Sequence, residues 1–161
     1  MNRYKLLVFI PFVFLLMLTG CLSDSDPDPD GRSALDVETL NLINQYRKAK
    51  SLPLLKHSLV VYEQARIHSQ NMADHNSPFG HSGYNFRLEQ IKKFISVGIA
   101  SELVAFNAVD NPAFQAYDTW VNDSTSKSHL DNSRYSHAGL AAVNSFDGRF
   151  YFTLILIQEK Q

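Results

Sequence analysis

Apolar and polar residues alternate with a helical period through the first half of the chain. Apolar residues recur every three or four positions over 33–51 and again over 58–75. This spacing places them on one face of an amphipathic helix, so two long helices are predicted there. A shorter helix is predicted over 85–93. An asparagine followed by proline is typical of a helix start and predicts a fourth helix over 111–120.

The C-terminal third has the pattern of β-strands. Residues 138–146 and 149–157 are largely apolar and flank Asp147-Gly148, a turn sequence typical of a β-hairpin. In the second run, the even-numbered and the odd-numbered positions, which face opposite sides of a strand, are both largely apolar. This strand is therefore expected to be covered on both faces. A further short strand is predicted over 103–108. These patterns predict an α+β fold, a three-layer α-β-α sandwich around a central, mainly antiparallel sheet.

The N-terminus has the pattern of an export signal. Arg3 and Lys5 precede an apolar run over 6–18, which is typical of a secretory signal peptide and shorter than the roughly 20 residues of a membrane span. The run ends in Leu-Thr-Gly before Cys21, and this sequence resembles the lipobox of bacterial lipoproteins, in which the cysteine is acylated after cleavage. We predict a lipoprotein signal peptide over 1–20; a plain signal peptide or an N-terminal anchor helix is the alternative.

Residues 21–33 are predicted to form a tether between a lipidated Cys21 and the domain at 34–161. The tether is rich in Asp, Pro and Ser and lacks a hydrophobic stripe, so it is expected to be extended. Leu22 rather than aspartate follows the cysteine, which suggests sorting to the outer membrane if the cell has one. We expect an exported protein attached to a membrane through the lipid on Cys21, with the domain in water.

The composition limits the kinds of cross-link, metal ligand and binding partner that the domain can have. Cys21 is the only cysteine, so the domain has no internal disulfide and no thiolate ligand for a metal. From residue 33 to 161, 12 Lys and Arg balance 12 Asp and Glu. No basic field is therefore present to attract nucleic acid, and no nucleic-acid partner is expected. The domain is expected to be a monomer.

Several short motifs, taken in chain order, resemble those of the CAP superfamily. This group contains the cysteine-rich secretory proteins, insect antigen 5 and the plant pathogenesis-related class 1 proteins, and its domain is also called the SCP domain. The likeness is strongest to disulfide-free bacterial members and extends over 35–158. The motifs are Gly80-His81-Ser82-Gly83, Ser101-Glu102, Trp120, Ser126-Lys127-Ser128-His129 and the segment 135–143 with Gly139. The resemblance implies an α-β-α sandwich, in agreement with the two-sided burial inferred above.

The resemblance also implies a cleft formed by His81, Glu102, Asp123 and His129. His81 and His129 match the two histidines of the family, and Glu102 matches the glutamate of its Gly-Glu-Asn motif. Asp123 lies three residues after Trp120, where many eukaryotic members have a second glutamate. His129 follows Trp120 by nine residues, a longer interval than is usual in the family. Two neutral imidazoles are good ligands for a divalent cation, so His81 and His129 are the predicted metal ligands and zinc the expected ion.

Two classes of function agree with this cleft. The first, which we favour, is a lipid-anchored binding module whose cleft holds a divalent cation and an envelope glycan, peptide or lipid. The second is a metal-assisted hydrolase in which His81 and His129 hold the metal and Glu102 is the general base. The sequence contains no nucleophile elbow, HExxH motif or glycine-rich phosphate loop, and the resemblance itself does not decide between the two classes.

Other polar and aromatic residues have simpler expected roles. Trp120 is expected to pack in the core, because a single large aromatic residue on a helix usually does. Glu102 is expected to be buried with a partner, since it lies beside an apolar strand. The remaining histidines are expected to be solvated rather than ligands; they are His57, His68, His75 and His137.

Overall fold

The computed structural model describes Asp28 and residues 30–160, and within that part five helices flank four strands. The predicted helices and strands are all present there, together with two short elements that the sequence patterns did not indicate, β1 and α5. In chain order the elements are α1 (Ala34–Ala49), β1 (Lys56–His57), α2 (Leu59–Ala73), α3 (Tyr84–Lys92), β2 (Val97–Asn107), α4 (Pro112–Asn122), α5 (Ser124–Leu130), β3 (His137–Asn144) and β4 (Phe150–Glu159).

The four strands form one mixed sheet in the order β1-β3-β4-β2. The β3–β4 hairpin and the β2–β4 pair are antiparallel, whereas the two-residue β1 runs parallel to β3. The prediction of an α+β domain with a mainly antiparallel central sheet is therefore confirmed. β4 occupies the middle of the sheet and β2 lies at an edge, a position that matters for the site below.

Helices cover both faces of the sheet, as the two-sided apolar pattern of β4 predicts. On one face, apolar side chains of α1, α4 and α5 pack against the even-numbered positions of β4; the main ones are Leu40, Ile43, Trp120, Leu130, Phe152, Leu154 and Leu156. On the other face, α2 and α3 pack against the odd-numbered positions through Val61, Tyr62, Ala65, Ile91, Ile155 and Ile157. Each fully buried aliphatic side chain contributes about 1.5–3 kcal/mol, so the two layers hold the sheet between them.

Asp36 connects the first helix to its neighbours. Ser33 and Asp36 form a reciprocal capping box at the start of α1, with the Asp36 N–H donating to Ser33 Oγ over 3.1 Å and the Ser33 N–H donating to Asp36 Oδ2 over 2.8 Å. The same carboxylate accepts hydrogen bonds from the Ala142 N–H and the Tyr62 hydroxyl. Burial raises the pKa of Asp36, and these hydrogen bonds oppose that rise.

One strand is longer than predicted and one helix was not predicted, each for an identifiable reason. β2 begins six residues before the predicted strand. The prediction missed this part because Gly98, Ser101 and Glu102 interrupt the apolar pattern, although their backbone belongs to the strand. α5 buries only Leu130, so it carries no hydrophobic stripe from which a helix could be inferred. Its start is fixed by Asp123, whose carboxylate accepts from the Ser126 N–H over 2.8 Å.

The predicted signal peptide over 1–20, Cys21 and most of the predicted tether lie outside the described residues. The described end of the tether packs on the domain: Arg32 forms an ion pair with Asp28 at 2.7 Å, and the Tyr62 hydroxyl donates to the Gly31 carbonyl at 3.3 Å. Across Asp28 and residues 30–160, no helix has the length and apolar character needed to cross a membrane.

Gly139 of β3 lies against the backbone of α2, which gives a test of the packing. A Cβ atom at this position would overlap the main chain of Val61 and Tyr62. We expect Gly139→Ala to lower the free energy of unfolding by at least about 2 kcal/mol, because helix and sheet must separate. The exposed Asn144 lies on the same strand, and Asn144→Ala should change stability by less than about 0.5 kcal/mol. Urea denaturation measures both, and equal effects would contradict this packing.

Candidate functional site

The site is built around a carboxylate that is buried in the middle of β2. Glu102 pairs across the strands with Ile155, which belongs to the cluster under α2 and α3, so the glutamate points toward that helix layer. Its side chain is only 1% exposed. A carboxylate removed from water in this way needs charged or hydrogen-bonding partners nearby.

Arg87 of α3 is the main partner of Glu102. Its Nε donates to Oε2 over 2.8 Å and its Nη2 donates to Oε1 over 2.7 Å, a bidentate arrangement. The remaining terminal nitrogen, Nη1, donates to the Ser82 carbonyl over 2.7 Å. The ion pair therefore joins β2 to α3 and to the loop before it.

The turn into α3 depends on Gly83. This residue is the N-cap of α3 and has a φ of 77°, in the left-handed region that glycine adopts without strain. A Cβ atom here would lie 3.3 Å from Nη1 of Arg87. Glycine therefore permits both the turn and the close approach of the guanidinium group to the loop.

His81 contacts the same carboxylate from the solvent side. Its Nδ1 lies 3.0 Å from Oε1 of Glu102, and its side chain is 57% exposed. Because the carboxylate accepts, Nδ1 carries the proton, which leaves Nε2 as the atom that can meet a cation or a substrate. A carboxylate that fixes the orientation of a histidine in this way is typical of metal-ligating histidines.

His68 forms part of the site, and the expectation that it is solvated was wrong. The side chain is 1% exposed, and Nε2 lies 2.7 Å from the Gly80 carbonyl and 3.9 Å from Oε1 of Glu102. His68 follows Ala65 by three residues and precedes Met72 by four, so it falls on the buried face of α2. Burial lowers the pKa of His68, which keeps the ring neutral at physiological pH.

Two tyrosines lie near this group and near His129. The Tyr84 hydroxyl is buried and makes no hydrogen bond with the part of the chain that the structure describes. Burial, aided by Glu102 and Tyr135, raises the pKa of Tyr84 to about 12. The Tyr135 hydroxyl lies 3.5 Å from Nδ1 of His129. Tyr84 is therefore close to Glu102, and Tyr135 is in contact with His129.

The four residues predicted for the cleft differ in their placement. His81 and Glu102 are in direct contact, whereas the contact recorded for the His129 ring is with the Tyr135 hydroxyl and not with either of them. Asp123 is exposed and its carboxylate caps α5. Within Asp28 and residues 30–160, no set of three or more His, Cys, Asp and Glu side chains is arranged to hold a metal ion. Zinc binding by His81 and His129 stays a prediction.

Sequence reasoning missed Arg87, His68, Tyr84 and Tyr135. A signal was present for the first two: Arg87 lies four residues before the buried Ile91, and His68 falls in the apolar stripe of α2. A polar residue within the apolar face of a helix indicates a buried partner. No comparable pattern marks the two tyrosines, because their proximity depends on how α3 and the loop before β3 pack.

A family model described as the cysteine-rich secretory protein family, CAP, matches residues 40–156. This chain belongs to the CAP family. The match covers most of the domain, from α1 into β4, and therefore includes all the residues of the site. A comparison with curated proteins found no match.

Solved structures give the same assignment of the fold. An extracellular protein containing an SCP domain from Bacillus anthracis aligns with a TM-score of 0.65 and 24% identity, over 81% of this chain and 44% of that one. An outer surface protein from Borrelia burgdorferi aligns with a TM-score of 0.65 and 18% identity, over 75% and 90%. NaASP2, solved with Zn²⁺, aligns with a TM-score of 0.55 and 13% identity, over 80% and 82%. The chain spans less than half of the Bacillus protein.

The environment of Glu102 in this CAP domain bears on its predicted role as a general base. Both carboxylate oxygens accept from Arg87, and one of them also contacts His81. A base needs a free lone pair within reach of the substrate proton. The geometry therefore favours Glu102 as the group that orients His81, and it makes Nε2 of His81 the more accessible basic atom of the pair.

The Arg87–Glu102 ion pair can be tested by a double-mutant cycle. Arg87→Met leaves Glu102 buried without a counter-charge, so we expect the free energy of unfolding to fall by about 3–5 kcal/mol. Adding Glu102→Met should recover most of that loss, because both charges are then absent. Urea denaturation of the two single variants and the double variant measures the coupling.

Lys92 provides a matched control on the same helix. It is a basic residue whose ion pair with Glu89 is exposed, so Lys92→Met should change stability by less than about 1 kcal/mol. If Arg87→Met were no more destabilising than Lys92→Met, the buried pair would not be what holds α3 against β2.

Proposed function

We propose that this protein is a lipid-anchored CAP-domain protein of the bacterial cell envelope. Its cleft binds a divalent cation, with zinc as the expected ion, together with an envelope glycan, peptide or lipid. The observation that carries the proposal is His81, an exposed imidazole held by a buried Glu102–Arg87 pair.

The geometry of His81 supports a binding role. Its Nδ1 is engaged by Glu102, so the ring is held with Nε2 directed away from the carboxylate. Pre-orientation of this kind lowers the entropic cost of capturing a cation. His129, whose Nδ1 lies 3.5 Å from the Tyr135 hydroxyl, is the second proposed ligand. Water or the bound envelope ligand would complete the coordination, as in zinc sites that keep open positions. The structural relative solved with Zn²⁺ adds support at the level of the fold.

The location follows from the N-terminal sequence. A lipidated Cys21 lies seven residues before Asp28, the first residue that the structure describes. Seven extended residues span at most about 25 Å, so the anchored domain would stay close to the bilayer surface. Ligands within that reach are components of the envelope. The extracellular and outer surface proteins among the structural relatives support export.

Zinc should stabilise the folded protein if the cleft binds it. At a free zinc concentration about 100 times Kd, the expected gain in the free energy of unfolding is about 2.7 kcal/mol, because only the folded state presents both imidazoles together. His81→Ala and His129→Ala should each remove most of this gain. Thermal unfolding with and without zinc, and after addition of EDTA, measures the effect.

His75 provides the control for that experiment. It is an exposed histidine outside the cleft, and its φ of 58° is tolerated by asparagine. His75→Asn should therefore retain the full response to zinc. Absence of any zinc response in the parent protein would end the cation proposal, and an equal loss in all three variants would show non-specific binding.

Cys21 is the test of the anchor. Cys21→Ser removes the sulfur that would be acylated, so the precursor should remain uncleaved and carry no lipid. Ser25→Ala, a change of similar size in the tether, should be processed normally. Mass spectrometry of the purified chains and membrane fractionation in a bacterial host report both properties. Normal processing and lipid attachment in Cys21→Ser would exclude the lipobox.

A further inference from the structure

A second concavity lies between α2 and α3, and we name it the α2–α3 pocket. It has a volume of about 400 Å³, toward the lower end of the range for small-molecule sites. His68 and Arg87 form buried parts of its wall, and Gln64 and Asn71 of α2 line it together with Gln90 of α3. His81 and His129 do not line it, so it opens beside the proposed cation cleft and shares the buried His68 and Arg87 with that site.

The pocket offers no free charge. Arg87 is the one charged residue in its lining, and all of its nitrogens donate to Glu102 or to the Ser82 carbonyl. No Asp, Glu or Lys lines the pocket. An anionic ligand would find no available cation there, and a cationic ligand would find no carboxylate, so the pocket is suited to a neutral molecule.

Several polar groups in the wall have hydrogen-bonding capacity to spare. The side-chain amides of Gln64 and Asn71 line the pocket, and no hydrogen bond joins either amide to the described residues. In His68, Nε2 must carry the proton because its partner, the Gly80 carbonyl, can only accept. The His68 ring is 1% exposed, so it forms a fixed part of the wall and the two amides are the groups with capacity for a ligand. A neutral ligand rich in groups that both donate and accept would satisfy this set.

Phe86 adds an apolar surface to the pocket. Its side chain belongs to α3 and is 68% exposed, although it lines the pocket. An exposed aromatic ring beside amide groups is the combination that receives a pyranose, since the C–H face of the sugar stacks on the ring while its hydroxyls meet the amides. A purely apolar ligand would leave the amides without partners.

We propose that the α2–α3 pocket binds a neutral saccharide unit. Phe86 stacks on one face of the sugar, and Gln64 and Asn71 exchange hydrogen bonds with its hydroxyls. This inference goes beyond the proposed function, because it requires neither the cation nor the lipid anchor.

The experiment uses the full-length chain in a detergent without a sugar headgroup, and N,N′-diacetylchitobiose as the first probe. This disaccharide is neutral and presents both hydroxyl and amide groups. Saturation-transfer difference NMR identifies contact, and a titration followed by isothermal calorimetry measures affinity. We expect a Kd on the order of 1 mM or below. Phe86→Ala and Asn71→Ala should each weaken binding about tenfold or more, since each removes a direct contact.

Phe94 provides the matched control. It is 76% exposed and follows α3, outside the lining of the pocket, so Phe94→Ala should leave the affinity unchanged. EDTA should also have no effect, which separates this pocket from the cation cleft. Circular dichroism and thermal unfolding confirm that the variants are folded.

Three results would overturn the proposal. The first is no binding of diacetylchitobiose, cellobiose or maltose at about 10 mM, a concentration well above the expected Kd. The second is binding that Phe86→Ala and Phe94→Ala weaken equally. The third is binding that EDTA abolishes, which would place the sugar in the cation cleft instead. Failure of the zinc experiment would leave the saccharide result unaffected.

Discussion

The bidentate ion pair between Arg87 and Glu102 is the interaction on which the site depends. A carboxylate buried to this extent is costly unless its charge is matched, and Arg87 matches it with two hydrogen bonds. The third donor of Arg87 holds the Ser82 carbonyl and thereby the loop that carries His81. One guanidinium group consequently fixes the strand, the helix and the loop from which the exposed imidazole projects. The same group closes the inner wall of the α2–α3 pocket.

The edge position of β2 leaves the side chains on both of its faces accessible from one side of the sheet. Glu102 faces the layer of α2 and α3, whereas the adjacent Ser101 faces the opposite layer, where Tyr135 packs. Neighbouring residues of a strand in the centre of a sheet would be separated by the sheet itself. At an edge strand, side chains from the two faces can approach each other around the open side, and Tyr84 is close enough to both Glu102 and Tyr135 that both raise its pKa. A cleft shared by His81 and His129 is a prediction that rests on the family resemblance.

Much of the fold could be predicted from the sequence, whereas the site could be predicted only in part. Periodicity located α1 and α2, because those helices bury stripes of apolar residues. The Asn-Pro start located α4, and two apolar runs with an Asp-Gly turn located the hairpin. It could not locate α5, whose only buried residue is Leu130. Resemblance to a family supplied His81 and Glu102, which are in contact. The position of Arg87 on the buried face of α3 was a local signal for a buried partner, but that partner lies 15 residues away on another element, so the pattern could not identify it as Glu102.

The contacts at the end of the tether determine where mechanical load would enter the domain. The Tyr62 hydroxyl shares its one proton between the Gly31 carbonyl at 3.3 Å and the Asp36 carboxylate at 3.2 Å, and Asp36 also accepts from the Ala142 N–H of β3. Tension applied through the N-terminal segment would pass into the junction of α1, α2 and β3. Glu102 and His81 take no part in that junction. Strain in that junction would reach the site through α2, which carries both Tyr62 and His68, whereas the Arg87–Glu102 pair that holds His81 lies on β2 and α3.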